Sequence, residues 1–201
     1  MRLFRPWFFT VWLFHEALFR EKTAKKVLFL TFDDGPDVIS TIPLLNILAR
    51  YKIRAVFFCS GNAASENPGL IDKIKAEGHL IGNHGYDHLN GFVTTKKTYL
   101  SDIKKAAGFT SDSIFRPPYG RLRVSQYREL LKTYRIIMWD IMPYDFDRKF
   151  GSERSLSILE KRIRPGSVIV LHDSPRSTVL EFIEAFIVHA IEEGYRFKLP
   201  C

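Results

Sequence analysis

From residue 27 onward the chain alternates between short runs rich in Val, Ile and Phe and longer segments of helical period, and this alternation limits its possible folds most strongly. The apolar runs are Val27 to Phe32, Ala55 to Cys59, His79 to Asn83, Ser113 to Phe115, Arg135 to Ile141, Val168 to Leu171 and Tyr195 to Leu199. Between them lie segments of helical length at Thr41 to Tyr51, Pro68 to Glu77, Thr95 to Ala107, Val124 to Thr133, Glu153 to Ile163 and Thr178 to Glu193. In the last, Val179, Phe182, Ile183, Phe186, Ile187, Ala190 and Ile191 recur at three and four residues before Gly194 stops the helix. Runs this continuous are apolar on both faces, which requires a mostly parallel sheet covered by helices. Seven such units predict an α/β barrel of the TIM-like kind in a single domain, residues 27–201.

Hydrophobic residues make up 46% of the 201 and aromatics number 28 (17 Phe, 8 Tyr, 3 Trp), enough for a packed core and against disorder. Cys59 and Cys201 are the only cysteines, too few for a disulfide framework or a four-cysteine metal site. The net charge of +8 suits an anionic partner, but no known reading motif organises the basic residues, so no nucleic acid is expected.

Residues 1–26 concentrate Phe4, Trp7, Phe8, Phe9, Trp12, Phe14 and Phe19 beside Arg2, Arg5, Arg20, Lys22, Lys25 and Lys26. The apolar run Trp7 to Phe14 falls short of the ~18 residues that span a bilayer, so no transmembrane segment is expected. His15 and Glu16 follow it in place of a small-residue cleavage site, so there is no recognisable signal peptide and the expected location is cytoplasmic or peripheral at a membrane surface. Two readings stand: a segment packing its rings on the barrel, or an aromatic and basic element resting on lipid. The oligomeric state is not readable.

In a parallel barrel the loops after the strands meet at one face, where catalytic groups gather. Strand one runs into Asp33 and Asp34, strand three into His84 and His88, strand four into Arg116, Pro117, Pro118 and Tyr119, strand five into Asp145, and strand six into Leu171 and His172. His84 and His88 are four residues apart and can offer two imidazoles to one cation; either aspartate adds a carboxylate. Two histidines and one carboxylate with a position left open describe a catalytic metal site. Such a cation lowers the pKa of its water to about 7. The spare aspartate is a candidate base, and His172, as an imidazole near pKa ~6.5, a candidate acid. Arg116 can fix the base and Asp145 the acid, or these two can form an ion pair at the rim. His79 and Cys59 read as packed core residues. Arg121 and Arg123 read equally as groove-rim groups or solvated ones.

Thr31-Phe32-Asp33-Asp34-Gly35-Pro36, His84 with His88, Arg116-Pro117-Pro118-Tyr119 and Leu171-His172 together resemble the motifs of the polysaccharide deacetylases of carbohydrate esterase family 4, the NodB homology domain. The resemblance covers roughly residues 27–199 and implies a distorted (β/α)7 barrel. It implies Asp33 as base, Asp34, His84 and His88 as metal ligands, Arg116 orienting the base, His172 as acid and Asp145 tuning it. It further implies that Tyr119 contributes an oxyanion donor through its backbone N–H, and that Pro118 and Leu171 contact substrate, Leu171 lining an acetyl pocket. The implied cofactor is a divalent metal, most often zinc, with cobalt or another divalent ion possible, and the implied substrate an N- or O-acetylated glycan such as peptidoglycan or a chitin-like oligosaccharide. Two other readings remain, an amide hydrolase acting on a small or lipid-linked sugar and a silent glycan-binding barrel. Gly85 stands where the family carries Ser or Thr, implying a less supported metal site, and Met142 and Phe146 replace an aspartate and a tryptophan of the fourth motif, implying an altered groove.

Overall fold

A computed structural model describes residues 3–200. Its strands are β1 (Val27–Asp34), β2 (Val56–Cys59), β3 (Leu80–Asn83), β4 (Ile114–Phe115), β5 (Arg135–Ile136), β6 (Ser167–His172) and β7 (Arg196–Phe197). The helices are α1 (Phe8–Leu13), α2 (Thr41–Arg50), α3 (Gly61–Glu66), α4 (Pro68–Ala76), α5 (Lys96–Ala107), α6 (Val124–Leu130), α7 (Ser152–Arg162) and α8 (Val179–Glu192), with a 3₁₀ turn at Pro118–Gly120. The sheet order is β5-β4-β3-β2-β1-β6, all pairs parallel, with β7 pairing the start of β1. The sheet curls into the barrel expected from the alternating pattern, distorted as the family resemblance implies, with the helices outside it.

Strand periodicity sorts each strand into two faces. In β1, Val27 and Phe29 join Val56, Phe58, Ile137 and Val168 in an inner cluster. Leu28, Leu30 and Phe32 instead pack outward with Leu44, Leu45 and Leu48 of α2 and Phe182, Ile183, Phe186 and Ile187 of α8. Continuing the inner set along β1 brings Thr31 and then Asp33 to the barrel interior, and along β6 it runs from Val168 through Val170 to His172. Asp33 and His172 sit directly across from one another in the β1–β6 register. One alternation therefore delivers a carboxylate and an imidazole side by side at the carboxyl end of the barrel.

The seam between β5 and β6 departs from the simple pattern. The long run Arg135 to Ile141 is a ladder strand only at Arg135–Ile136. Further along, Ile141 bridges Ile169, with the Val170 N–H donating to the Ile141 carbonyl at 3.0 Å. Toward the other end the gap is filled from the amino-terminal segment. The Leu18 N–H donates to Ile136 O at 2.9 Å, the Met138 N–H to Leu18 O at 2.8 Å, and the Glu21 N–H to Gly166 O at 2.9 Å. Phe14, Ala17 and Phe19 are buried there, Phe14 with its ring 4.8 Å from that of Tyr127. Arg5 fixes the segment further out. Its guanidinium donates to Asp140 Oδ2 at 2.5 Å and to the Arg162 carbonyl, while Asp140 also accepts from Arg164 and, at 2.6 Å, from Ser167 Oγ. Asp140 is thus buried yet satisfied, and those donors outweigh its burial and hold its carboxyl below the usual range.

Candidate active site

The loops after β1, β3, β4, β5 and β6 enclose a cavity of about 410 Å³. It is lined by Asp33, Asp34, His84, His88, Tyr119, Gly120, Arg121, Trp139, Met142, Tyr144, Phe146, Val170 and His172.

Asp33 is buried, and its Oδ1 accepts from Arg116 Nη1 at 2.7 Å. Arg116 is itself fully buried with every nitrogen engaged. Nη1 also donates to Thr31 Oγ1 at 2.7 Å, Nε to Ile137 O at 3.0 Å and Nη2 to Met138 O at 2.8 Å. The guanidinium carbon lies 4.2 Å from the centre of the Phe58 ring. Burial pushes the Arg116 pKa down and the Asp33 carboxylate opposes it. A buried cation with one carboxylate and three neutral acceptors is pinned, and so is the aspartate it holds.

His84 is buried, and its Nδ1 lies 2.8 Å from Arg116 O. A carbonyl oxygen only accepts, so Nδ1 carries the proton and Nε2 is bare. Burial, the largest influence, lowers the His84 pKa to about 4, so the ring is neutral at neutral pH. Nε2 faces Asp34 Oδ1 at 3.7 Å and Asp33 Oδ2 at 3.8 Å. His88 Nε2 lies 3.2 Å from the same Asp34 Oδ1. Burial works to raise the Asp34 pKa, but the His88 hydrogen bond and the neighbouring His172 and His84 hold it well below the ordinary carboxylate range. One ligand atom from each of Asp34, His84 and His88 lies within 4.8 Å of the others. Two imidazole nitrogens and one ionised carboxylate at that spacing fit a divalent metal ion.

On the far side, His172 Nδ1 is 3.0 Å from Asp145 Oδ1, and Asp145 Oδ2 accepts from the His172 backbone N–H at 2.8 Å and from Ser177 Oγ at 2.7 Å. Burial alone lowers an imidazole, yet the fully buried Asp145 and its hydrogen bond outweigh it, and His172 is raised to about 9. Phe146 packs edge-on against the His172 ring at 4.9 Å. Arg116 and Asp145 therefore serve different partners, Asp33 and His172, and make no pair with one another.

Two expected substrate contacts are placed differently. Leu171 is fully buried in the outer core, because 170 and 172 face the interior and 171 must face the helices. Val170 lines the cavity in its stead. Pro118 is buried behind the wall and is not among the lining residues, whereas Tyr119 lines it with its ring 4.5 Å from that of His88. Tyr119 holds a left-handed backbone, φ 58°. Gly120 follows at φ 64°, and a Cβ there would lie 2.1 Å from Trp139 Cη2. Only glycine lets this turn close against the Trp139 ring.

Gly85 does not leave the histidine loop unsupported. Asp102 of α5, buried, accepts from the Tyr86 N–H at 2.8 Å and the Asp87 N–H at 2.9 Å, and Asn83 Oδ1 accepts from the Gly85 N–H at 2.8 Å. Gly85 has φ 75°, and a Cβ on it would stand 2.8 Å from Asp102 Oδ2. Asp102 and Asn83 are thus site-supporting residues that the motifs alone did not reveal. The available signal was a carboxylate on the face of α5 that also presents Tyr99, Ile103 and Ala106 to the core. Asp173 does similar work at α2, accepting from Ser40 Oγ and Thr41 Oγ1, each at 2.6 Å. His79 and Cys59 are core residues, His79 Nδ1 accepting from the Ala55 N–H at 3.0 Å.

Residues 20–136 match the family model described as polysaccharide deacetylase. A peptidoglycan-N-acetylglucosamine deacetylase of Bacillus cereus is 30% identical over 183 residues, 86% of this chain and 85% of its own length. The peptidoglycan-N-acetylmuramic acid deacetylase PdaA of Bacillus subtilis is 26% identical, over 92% of this chain and 73% of its own. The crystal structure of the Bc1960 peptidoglycan N-acetylglucosamine deacetylase superposes with a TM-score of 0.88 at 26% identity, covering 94% of this chain and 93% of that one. That of Bacillus subtilis PdaA, a family 4 carbohydrate esterase, reaches 0.81 at 23% identity, covering 94% and 85%, and so bears on the fold. Matched over more than half its length by the family model, and by a relative across most of both chains, this chain belongs to the polysaccharide deacetylases.

Proposed function

We propose that the protein removes acetyl groups from the N-acetylated sugars of a glycan of the peptidoglycan or chitin type, with Asp33 as base and His172 as acid. The observation that carries this reading is the pairing across the barrel mouth. Arg116 holds Asp33 at 2.7 Å, Asp145 holds His172 at 3.0 Å, and the ligand set Asp34, His84 and His88 lies in the same cavity. Relatives named for action on peptidoglycan and on chitooligosaccharides support the substrate class.

Asp34, His84 and His88 would hold the metal, zinc by donor type. The ion, when bound, supplies Lewis-acid polarisation of the acetyl oxygen and acidifies water beside it. Arg116 occupies Oδ1 of Asp33, so Oδ2 is the oxygen that takes the proton of the attacking water. Arg116 also holds that carboxylate stationary. The Tyr119 backbone N–H steadies the oxygen on which negative charge develops. His172, protonated at neutral pH because of Asp145, gives its proton to the departing nitrogen as the C–N bond breaks, leaving acetate and a free amine. Met142, Phe146 and Trp139 shape the walls of the sugar site.

The test is acetate release from N-acetylglucosamine oligomers and purified peptidoglycan, by metal-stripped protein and after adding back zinc or cobalt. Metal-dependent acetate from either glycan is expected. Absence of acetate from both with every metal would refute the reading.

A further inference from the structure

The amino-terminal helix α1 has the sequence Phe-Phe-Thr-Val-Trp-Leu, with no buried residue. Phe8 is 80% exposed, Trp12 67% and Trp7 59%. Large rings left in water on one short helix need a cover, since monomeric surfaces seldom keep contiguous apolar patches of this kind. One edge of this patch adjoins the catalytic mouth, while Phe8 and Trp12 line a separate groove with Arg20, Lys22 and Arg164. Trp7 and Leu13 line a groove together with Phe92, Tyr119 and Arg121, and Tyr119 and Arg121 also line the catalytic cavity. Loops at the same end of the barrel expose further apolar side chains, Val38 and Ile39 after β1, Phe92 and Val93 after β3, and Phe146 after β5.

Charge indicates what covers it. The loops leaving the strand ends expose Arg121 and Arg123 after β4, Arg148 and Lys149 after β5 and Arg176 after β6. Against them stand exposed Asp87 and the half-buried Asp34, Asp37 and Asp147, with Glu181 3.7 Å from Arg148. Arg123 donates to the Phe92 carbonyl, which ties a cation to an exposed ring. A second copy of the chain would bring these cations against their own kind, so self-association is disfavoured by the charge that favours an anionic surface. Aromatic side chains with adjacent cations are the composition that settles at a lipid headgroup layer. We propose that this face docks on an anionic phospholipid bilayer, α1 entering the headgroup region and the cavity mouth turned toward the membrane.

The test uses the full chain with vesicles of phosphatidylglycerol and phosphatidylcholine or of phosphatidylcholine alone, read by co-sedimentation and tryptophan emission. Expected are binding to the anionic vesicles with a blue shift from Trp7 and Trp12, weakening as salt shortens the screening length, and little binding to neutral ones. Phe8→Ser, Phe9→Ser and Trp12→Ser combined should lower vesicle affinity at least tenfold with an unchanged thermal midpoint. Absence of binding to anionic vesicles would overturn the proposal, as would a concentration-dependent dimer that the same three substitutions abolish. None of these readouts depends on acetate release, so this inference and the proposed reaction fail separately.

Discussion

Arg116 acts on both halves of the site at once, since its guanidinium grips Asp33 at 2.7 Å while its backbone carbonyl accepts a hydrogen bond from His84 Nδ1 at 2.8 Å. The proposed base and one proposed metal ligand are therefore positioned by a single residue. His84→Ala removes a ligand that burial keeps neutral, and the purified variant should hold zinc more than about 100-fold more weakly than wild type, beyond the range seen when only a ligand's supporting partner is lost. Elemental analysis after dialysis checks it. A wild-type zinc content would show that His84 is not a ligand.

The two adjacent aspartates should separate cleanly. Asp33→Asn is expected to keep its metal and lose turnover by about 10² to 10⁴-fold, the scale of a general base. Asp34→Asn should lose the metal first. If metal content falls in the Asp33 variant and survives in the Asp34 variant, the roles are exchanged.

Gly85→Ser would restore the hydroxyl common in the family, yet the backbone opposes it. With φ at 75° and a Cβ 2.8 Å from Asp102 Oδ2, the serine must displace the carboxylate that holds the Tyr86 and Asp87 N–H groups. The variant should lose about 1 to 3 kcal/mol in denaturant unfolding and bind metal less tightly by calorimetry. Tighter binding at equal stability would mean the loop rearranges freely.

Asp173 gives the protein a pH dependence of unusual sign for a carboxylate. Burial raises it from 3.8 to about 6, against the pull of the Ser40 and Thr41 hydroxyls. Between those values the folded protein keeps a proton that the unfolded chain releases, so stability falls as pH rises through the window and levels off above it. The difference corresponds to about 3 kcal/mol. Asp173→Asn should remove this decline, most visibly when unfolding free energies at pH 4 and pH 7 are compared. Parallel curves for the two proteins would contradict it.

The fold and most of the site were legible because their signals are local. Asp33 and His172 lie at the ends of recognisable strands, His84, Arg116 and Asp145 follow such strands, and a parallel barrel gathers strand ends. The burial of Leu171 was not legible because adjacency in a motif hides the alternation of a strand, where Val170 and His172 share a face and Leu171 takes the other. Asp102 escaped because nothing near His84 in the chain refers to it; only the packing of α5 against β3 brings them together. The seam between β5 and β6 was illegible for a related reason, since Leu18 and Arg20 contribute single bridges too short to leave a strand pattern.

That seam has a bearing on how the molecule is made. Leu18 finds its partners in Ile136 and Met138, and Arg20 and Glu21 find theirs in Pro165 and Gly166, all more than a hundred residues downstream. During synthesis these residues must wait, their hydrogen-bonding groups in water, until strands β5 and β6 have left the ribosome. The stave that closes this seam is translated well before the strands it joins, and loop closure between such distant partners slows folding.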